Sequence, residues 1–241
     1  MNFQGSGMRI DDYDIPRIGS LIGVGEDEIH AVLDVEAAGS GFDRAGRLKM
    51  LFEPHVFYRC LPEDKRAAAV SQGLAYSAWR PGAYPPDSYP RLLRAMEIDE
   101  TAALKACSWG LGQILGENYK AAGYDSPQEM VKDFCVDEAN QLGAMIRFIK
   151  SKGLDRALRA HDWATFARGY NGASYAKHNY DGKLKAAFEK WSKIKDTPLE
   201  NVGPPTPPEI KLPRPGEPGA QPTLAPTFWG RVADLFKPKR I

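Results

Sequence analysis

The chain has 241 residues, of which 43% are hydrophobic, enough for one sizeable core, and its 32 basic and 31 acidic side chains leave a net charge of +1. Near-neutrality excludes electrostatic capture of nucleic acid as the main business, and no run approaches the roughly eighteen apolar residues of a membrane-spanning helix. Cys60, Cys107 and Cys135 are odd in number and far apart, and four scattered histidines add no metal-ligand spacing, so buried thiols, a reducing compartment and no metal are expected.

Residues 1–9 lack a signal peptide's basic-then-apolar pattern. Phe3-Gln4-Gly5-Ser6-Gly7-Met8 reads as a protease-site remnant before a second start, and this segment is set outside the fold. Residues 11–23 form a lead-in with Pro16 and two glycines. The stretch 25–41 then reads as a helix and its stop. Ile29, Val32 and Leu33 make one apolar stripe, and Glu36 falls in the middle of it. Glu26, Asp27 and Glu28 sit in the first turn, where the helix dipole favours them. Glu36 sits in the last turn, where the dipole disfavours negative charge, and Gly39 and Gly41 follow as stop signals. A carboxyl held against apolar surface there should stay protonated to higher pH than usual, as a proton donor for glycosidic cleavage requires. The same residue, taken alone, also fits a helix-end glutamate turned to solvent.

Beyond Gly39 the pattern changes. Residues 42–48 read as a turn, and Leu48, Met50 and Phe52 suggest a small β-hairpin. Residues 53–58 lead into another helix, and Pro62-Glu63 starts the next, which runs to about Gln72. Residues 76–90 hold Trp79, Tyr84, Tyr89 and four prolines with little periodicity, which fits sugar-stacking aromatics and a packed Ω-loop equally. Ser88 and Asp99 are N-cap candidates for two helices, the second leading into Cys107-Ser108-Trp109-Gly110-Leu111-Gly112-Gln113-Ile114. Ser126-Pro127-Gln128-Glu129 is a capping box with proline at the first helical position. Leu142, Met145, Ile146 and Ile149 form a stripe that predicts a central core helix ending at Gly153. Asp162 caps a helix that stops at Tyr170-Asn171-Gly172, and Tyr180, Leu184, Phe188 and Trp191 mark the last helix. Residues 197–227 carry ten prolines and almost no large apolar side chains, so 196–227 is read as a tether and 10–195 as the folded domain. In 228–241, Phe228, Val232, Leu235 and Phe236 line one face of a short helix followed by Lys237, Lys239 and Arg240. That tail could press on an anionic membrane surface, dock on a partner protein, or fold back.

Glu36, the Ser108 to Ile114 stretch and Tyr170-Asn171 together resemble the lysozyme-like superfamily, in its transglycosylase and goose-type branch. Glu36-Ala37-Ala38-Gly39-Ser40-Gly41-Phe42, then Leu51-Phe52-Glu53-Pro54-His55-Val56-Phe57, then Ser108 to Ile114 look more closely like the phage-type N-acetylmuramidase endolysins. The resemblance covers about residues 15 to 192. It implies a mainly α, lysozyme-like α+β fold with a small β-hairpin, acting without metal or organic cofactor on the β-1,4 bond between N-acetylmuramic acid and N-acetylglucosamine. By that likeness Glu36 is the general acid, and Ser108 hydrogen-bonds its carboxyl. Gly110 and Gly112 let backbone pass close beneath a sugar, while Gln113, Tyr170 and Asn171 face the N-acetyl groups. Tyr170-Asn171-Gly172 would equally serve as a helix C-cap. For a second carboxylate, Glu53 comes first by position and Asp43 next, with a structural ion pair to Arg47 or His55 an equal reading of Glu53. A lytic transglycosylase using the sugar's own 6-hydroxyl and a noncatalytic wall-binding module remain open. Peptidoglycan strands are the expected partner of a monomer made in the cytoplasm and delivered to the wall through a pore or an injection device.

Overall fold

The structure, a computed structural model, describes residues 2–37, 39–80, 84–173 and 175–198. The rest of the expected tether and the whole tail at 228–241 lie outside the described residues. The fold is mainly helical with one small antiparallel sheet, as the pattern of elements implies.

The lead-in carries more structure than its length suggests. Helix α1 (Asp14–Gly19) runs into a 3-10 turn at Ser20–Ile22, and Gly23 ends it at φ 70°. Six residues are too few for a period to show, yet Ile15, Ile18 and Ile22 are buried. Helix α2 (Glu26–Glu36) follows, with Gly25 at its N-cap donating to Glu28 Oε2 at 2.9 Å. It buries Ile29, Ala31, Val32, Val35 and Glu36, so the apolar stripe does run through the acid.

The turn at 43–46 closes Phe42 against Leu48 as expected, with the Asp43 amide donating to the Arg47 carbonyl at 2.8 Å. Strand β1 (Met50–Phe52) then leaves that hairpin to pair with β2 (Cys107–Trp109), in the register Met50↔Trp109, Leu51↔Ser108 and Phe52↔Cys107. Strand β3 (Ile114–Leu115) pairs back on β2. The serine-glycine-glutamine stretch is therefore itself a hairpin rather than a helix end. Strands of three and two residues are too short for alternation to reveal them.

Helices α3 (Pro54–Cys60) and α4 (Glu63–Ser71) stand where the prolines set their starts. Ser88 and Asp99 head two helical segments that meet at a kink within α5 (Tyr89–Lys105), as the two N-cap candidates imply. Asp99 leaves helical geometry at φ −161° and ψ 105° and accepts from the Ala102 amide at 2.9 Å, so it caps the second half. Helix α6 (Pro127–Phe134) starts on Ser126, whose Oγ accepts from the Glu129 amide at 3.1 Å. Helix α7 (Glu138–Ser151) is the central core helix, burying Leu142, Met145, Ile146, Phe148 and Ile149. Helices α8 (Asp155–Arg159), α9 (Trp163–Asn171) and α10 (Tyr180–Trp191) complete the described fold, with α10 lying along α2.

Residues 3–8, which the sequence reading sets outside the fold, pack onto it instead. Phe3 is buried, with its ring centroid 5.3 Å from Tyr89 and 5.7 Å from Trp109. The Gly5 amide donates to the Gly46 carbonyl and the Leu48 amide to the Phe3 carbonyl, each at 2.9 Å. A phenylalanine flanked by backbone donors and acceptors finds an edge to add to, whatever its local composition.

Candidate active site

Helix α2 ends on Glu36, and Ala37 turns to extended geometry immediately after it. The carboxyl is thus delivered at the point where the chain leaves the helix. Glu36 is 2% exposed. Burial pushes its carboxyl up to about 7, against a smaller opposing pull from the Asn171 amide and from the positive charge of Lys183. Asn171 Nδ2 donates to Glu36 Oε1 at 2.8 Å across 135 positions of sequence. Glu36 Oε2 is buried with no hydrogen-bond partner among the described residues.

Tyr170 and Asn171 close α9, so the helix that ends on the amide meets the helix that ends on the acid. Gly172 follows at φ 82°, a geometry that favours glycine. Tyr170 is buried, and burial together with the nearby Glu36 charge raises its phenol. Its ring stacks on Phe166 at 5.6 Å, and its hydroxyl donates a long bond to the Gly112 carbonyl at 3.4 Å. That bond brings the third motif to the other two.

The turn between β2 and β3 is built from positive-φ residues: Gly110 at φ 65° and Gln113 at φ 47°. Gln113 Nε2 donates back to the Gly110 carbonyl at 2.8 Å, while Gln113 Oε1 is buried without a partner among the described residues. Asn171 Oδ1 is in the same position. Two amide oxygens and one carboxyl oxygen are therefore left unsatisfied on the three motifs, although a buried polar atom normally finds a partner. Ser108 is fully buried in β2, opposite Leu51 and Leu115.

The two further carboxylates have quite different surroundings. Asp43 Oδ1 accepts from the amides of Ala45 and Arg47, and Oδ2 from Arg47 Nε at 2.8 Å. Burial raises the Asp43 carboxyl, but those bonds outweigh it and hold the group below the usual carboxylate range. Glu53, just after β1, has a fully buried side chain whose Oε2 accepts from the Tyr84 hydroxyl at 2.9 Å and lies 3.7 Å from His55 Nδ1. Arg47 pairs with Asp43 and Asp87, so of the two structural partners considered for Glu53, the histidine is the one beside it.

Two residues that the motif reading passed over hold the site's loops. Glu138, 2% exposed, accepts from Ser40 Oγ at 2.7 Å and the Gly41 amide at 2.8 Å with one oxygen, and from Arg9 Nε and the Ile10 amide with the other. Gln141, one turn on, accepts from the Leu111 amide at 2.7 Å and donates to the Phe134 carbonyl at 2.8 Å. The signal was present: both polar residues stand on the face of α7 that carries its apolar stripe.

The family model of N-acetylmuramidases matches residues 26–192. Among solved structures, the crystal structure of the Burkholderia AP3 phage endolysin is similar at 36% identity with a TM-score of 0.72, covering 79% of this chain and 74% of that one. No curated protein matches the chain.

Proposed function

The chain belongs to the N-acetylmuramidase family and is a peptidoglycan hydrolase, and from that premise we propose that it cuts the β-1,4 bond between N-acetylmuramic acid and N-acetylglucosamine with Glu36 as general acid. The buried carboxyl of Glu36, raised to about 7 and steered by Asn171, is the observation that carries this reading. Protonated Glu36 gives its proton to the leaving glycosidic oxygen as the bond to the anomeric carbon breaks. Water then adds to that carbon, and the proton it releases restores the acid. The partnerless oxygens of Gln113 and Asn171 are acceptors suited to an acetamido N–H or a ring hydroxyl. Gly110 and Gly112 let the turn press on the protein's own interior, where a Cβ would meet Gln141 Oε1 at 2.7 Å and Met145 Sδ at 2.8 Å, rather than opening the room beneath a sugar that the resemblance implies. Ser108 is placed in this proposal to orient the acid.

Glu36→Gln keeps the shape and removes the proton, so folded variant should bind purified cell wall but release almost no fragments. An active variant would refute the assignment. A second reading is favoured by the surroundings of the other carboxylates. Asp43 is committed to its turn and Glu53 is enclosed beside Tyr84. With both so engaged, the muramyl 6-hydroxyl itself could attack, and the chain would be a lytic transglycosylase. Mass spectrometry of the fragments separates the two, because 1,6-anhydro ends arise only from that intramolecular attack. A noncatalytic binder would clear no turbidity from outer-membrane-stripped bacteria.

A further inference from the structure

Helix α7 carries two buried polar residues three positions apart, and each reaches a different loop of the site. Glu138 receives the hydroxyl of Ser40 and the amide of Gly41, in the segment that follows Glu36. Gln141 receives the amide of Leu111, in the turn that presents Gln113, and its own amide group satisfies the Phe134 carbonyl at the end of α6. Both loops press on Gln141 as closely as glycine allows. A Cβ at Gly41 would fall 1.9 Å from Gln141 Oε1, and one at Gly110 would fall 2.7 Å from it. The backbone closes the same circuit from the other side, with Lys49 donating to the Gly41 carbonyl and accepting from the Gly110 amide, each at 2.8 Å.

We infer that Glu138 and Gln141 are positioning residues, a clamp on α7 that fixes the separation between the loop behind Glu36 and the Gly110–Gln113 turn. The inference rests on Glu36 being the acid. Backbone bonds through Lys49 and the β1–β2 pairing hold the two loops on one side, and the α7 side chains hold them on the other. An apolar pair on α7 would fill the volume with less desolvation, but it would not dictate where two backbone amides stand. Four donors on one carboxylate and a bridging amide on the next turn do dictate it. Both side chains are buried behind the loops they hold. They act through the distance from the proton donor to the turn that holds the sugar, and small errors in that distance are costly in rate.

The test uses the full chain and soluble, peptide-free glycan strands, well below the melting midpoint of every variant. Gln141→Met keeps length and removes both hydrogen bonds. Its kcat should fall about tenfold or more while KM stays within about twofold. Ser40→Ala, at a half-buried position, removes one bond to Glu138 and the bond that Ser40 Oγ accepts from the Phe42 amide, and its kcat should fall about threefold with KM unchanged. Should Gln141→Met not fold, Ser40→Ala decides. Wild-type kcat in the folded variants, or a loss lying wholly in KM, overturns the clamp. Glu36→Gln is measured alongside. If it is inactive while Gln141→Met runs at the wild-type rate, the clamp alone falls; if it is active, the reading of the acid falls and takes the clamp with it.

Discussion

Burial lifts the Glu36 carboxyl from its ordinary 4.5 to about 7, and two pH dependences of the same sign follow from that one side chain. The native state holds the proton more tightly than the unfolded chain does. Its contribution to stability is therefore complete below pH 4.5 and is lost as pH rises through about 7. The loss amounts to about 3 kcal/mol by pH 8. Glu36→Gln should raise the thermal midpoint at pH 8 and change it little at pH 4, a comparison of two melting curves. The rate of wall cleavage should fall as pH passes about 7, since a general acid must carry its proton. Glu53 makes a contrasting case. Its carboxyl is tied to the Tyr84 hydroxyl, which an amide oxygen can also accept. Glu53→Gln should keep more than about a tenth of the lytic rate, whereas Glu36→Gln keeps almost none. Equal loss in both would make Glu53 a reacting group.

Caps explain where the helices stop and start, and they are nearly all local. Ser126 bonds the Glu129 amide, Asp137 the Asn140 amide and Asp162 the Thr165 amide. Ser126→Ala should cost about 1 kcal/mol in chemical denaturation and leave kcat alone, because α6 reaches the site only through its far end. Ser88 shows where a local rule gives way. The first amide of α5 is taken by Asp87 Oδ1 at 3.0 Å, and Ser88 makes no side-chain cap. Aspartate one residue earlier offers the stronger acceptor, and the chain bends to use it.

At the scale of the whole molecule, α2 is held at both ends. Asp34 accepts from Lys190 Nζ and Trp191 Nε1, each at 2.9 Å, and His30 stacks on Trp191 at 3.8 Å. The Thr197 amide and hydroxyl both donate to Glu26 at 2.9 Å, so the described end of the chain leaves from the opposite end of α2 to Glu36. About 15 Å of helix lies between them. A truncation after Lys195 should therefore keep its rate on purified walls. If residues 228–241 act at a membrane, the same truncation should lose lysis of intact cells, and full retention removes that role.

The apolar stripe of α2 and α7, the proline and serine starts, and the order of the three motifs were all legible in the amino-acid string. Each is a pattern within a few turns of chain, set by the helical period and by the short reach of a cap. Met50–Phe52 was legible as β-structure, but the rest of the sheet was not, since β2 and β3 hold only three and two residues and β1 finds β2 far along the sequence. Nor was the docking of residues 3–8, where one buried phenyl ring outweighs a polar, glycine-rich segment. Glu36 could be singled out as an oddity on an apolar face, but its meeting with Asn171, and the hold of Glu138 and Gln141 on the loops beside it, were decided only by tertiary packing. A hydrogen bond between distant positions leaves no period in the sequence, because its energy depends on where folding brings two atoms and not on how many residues separate them.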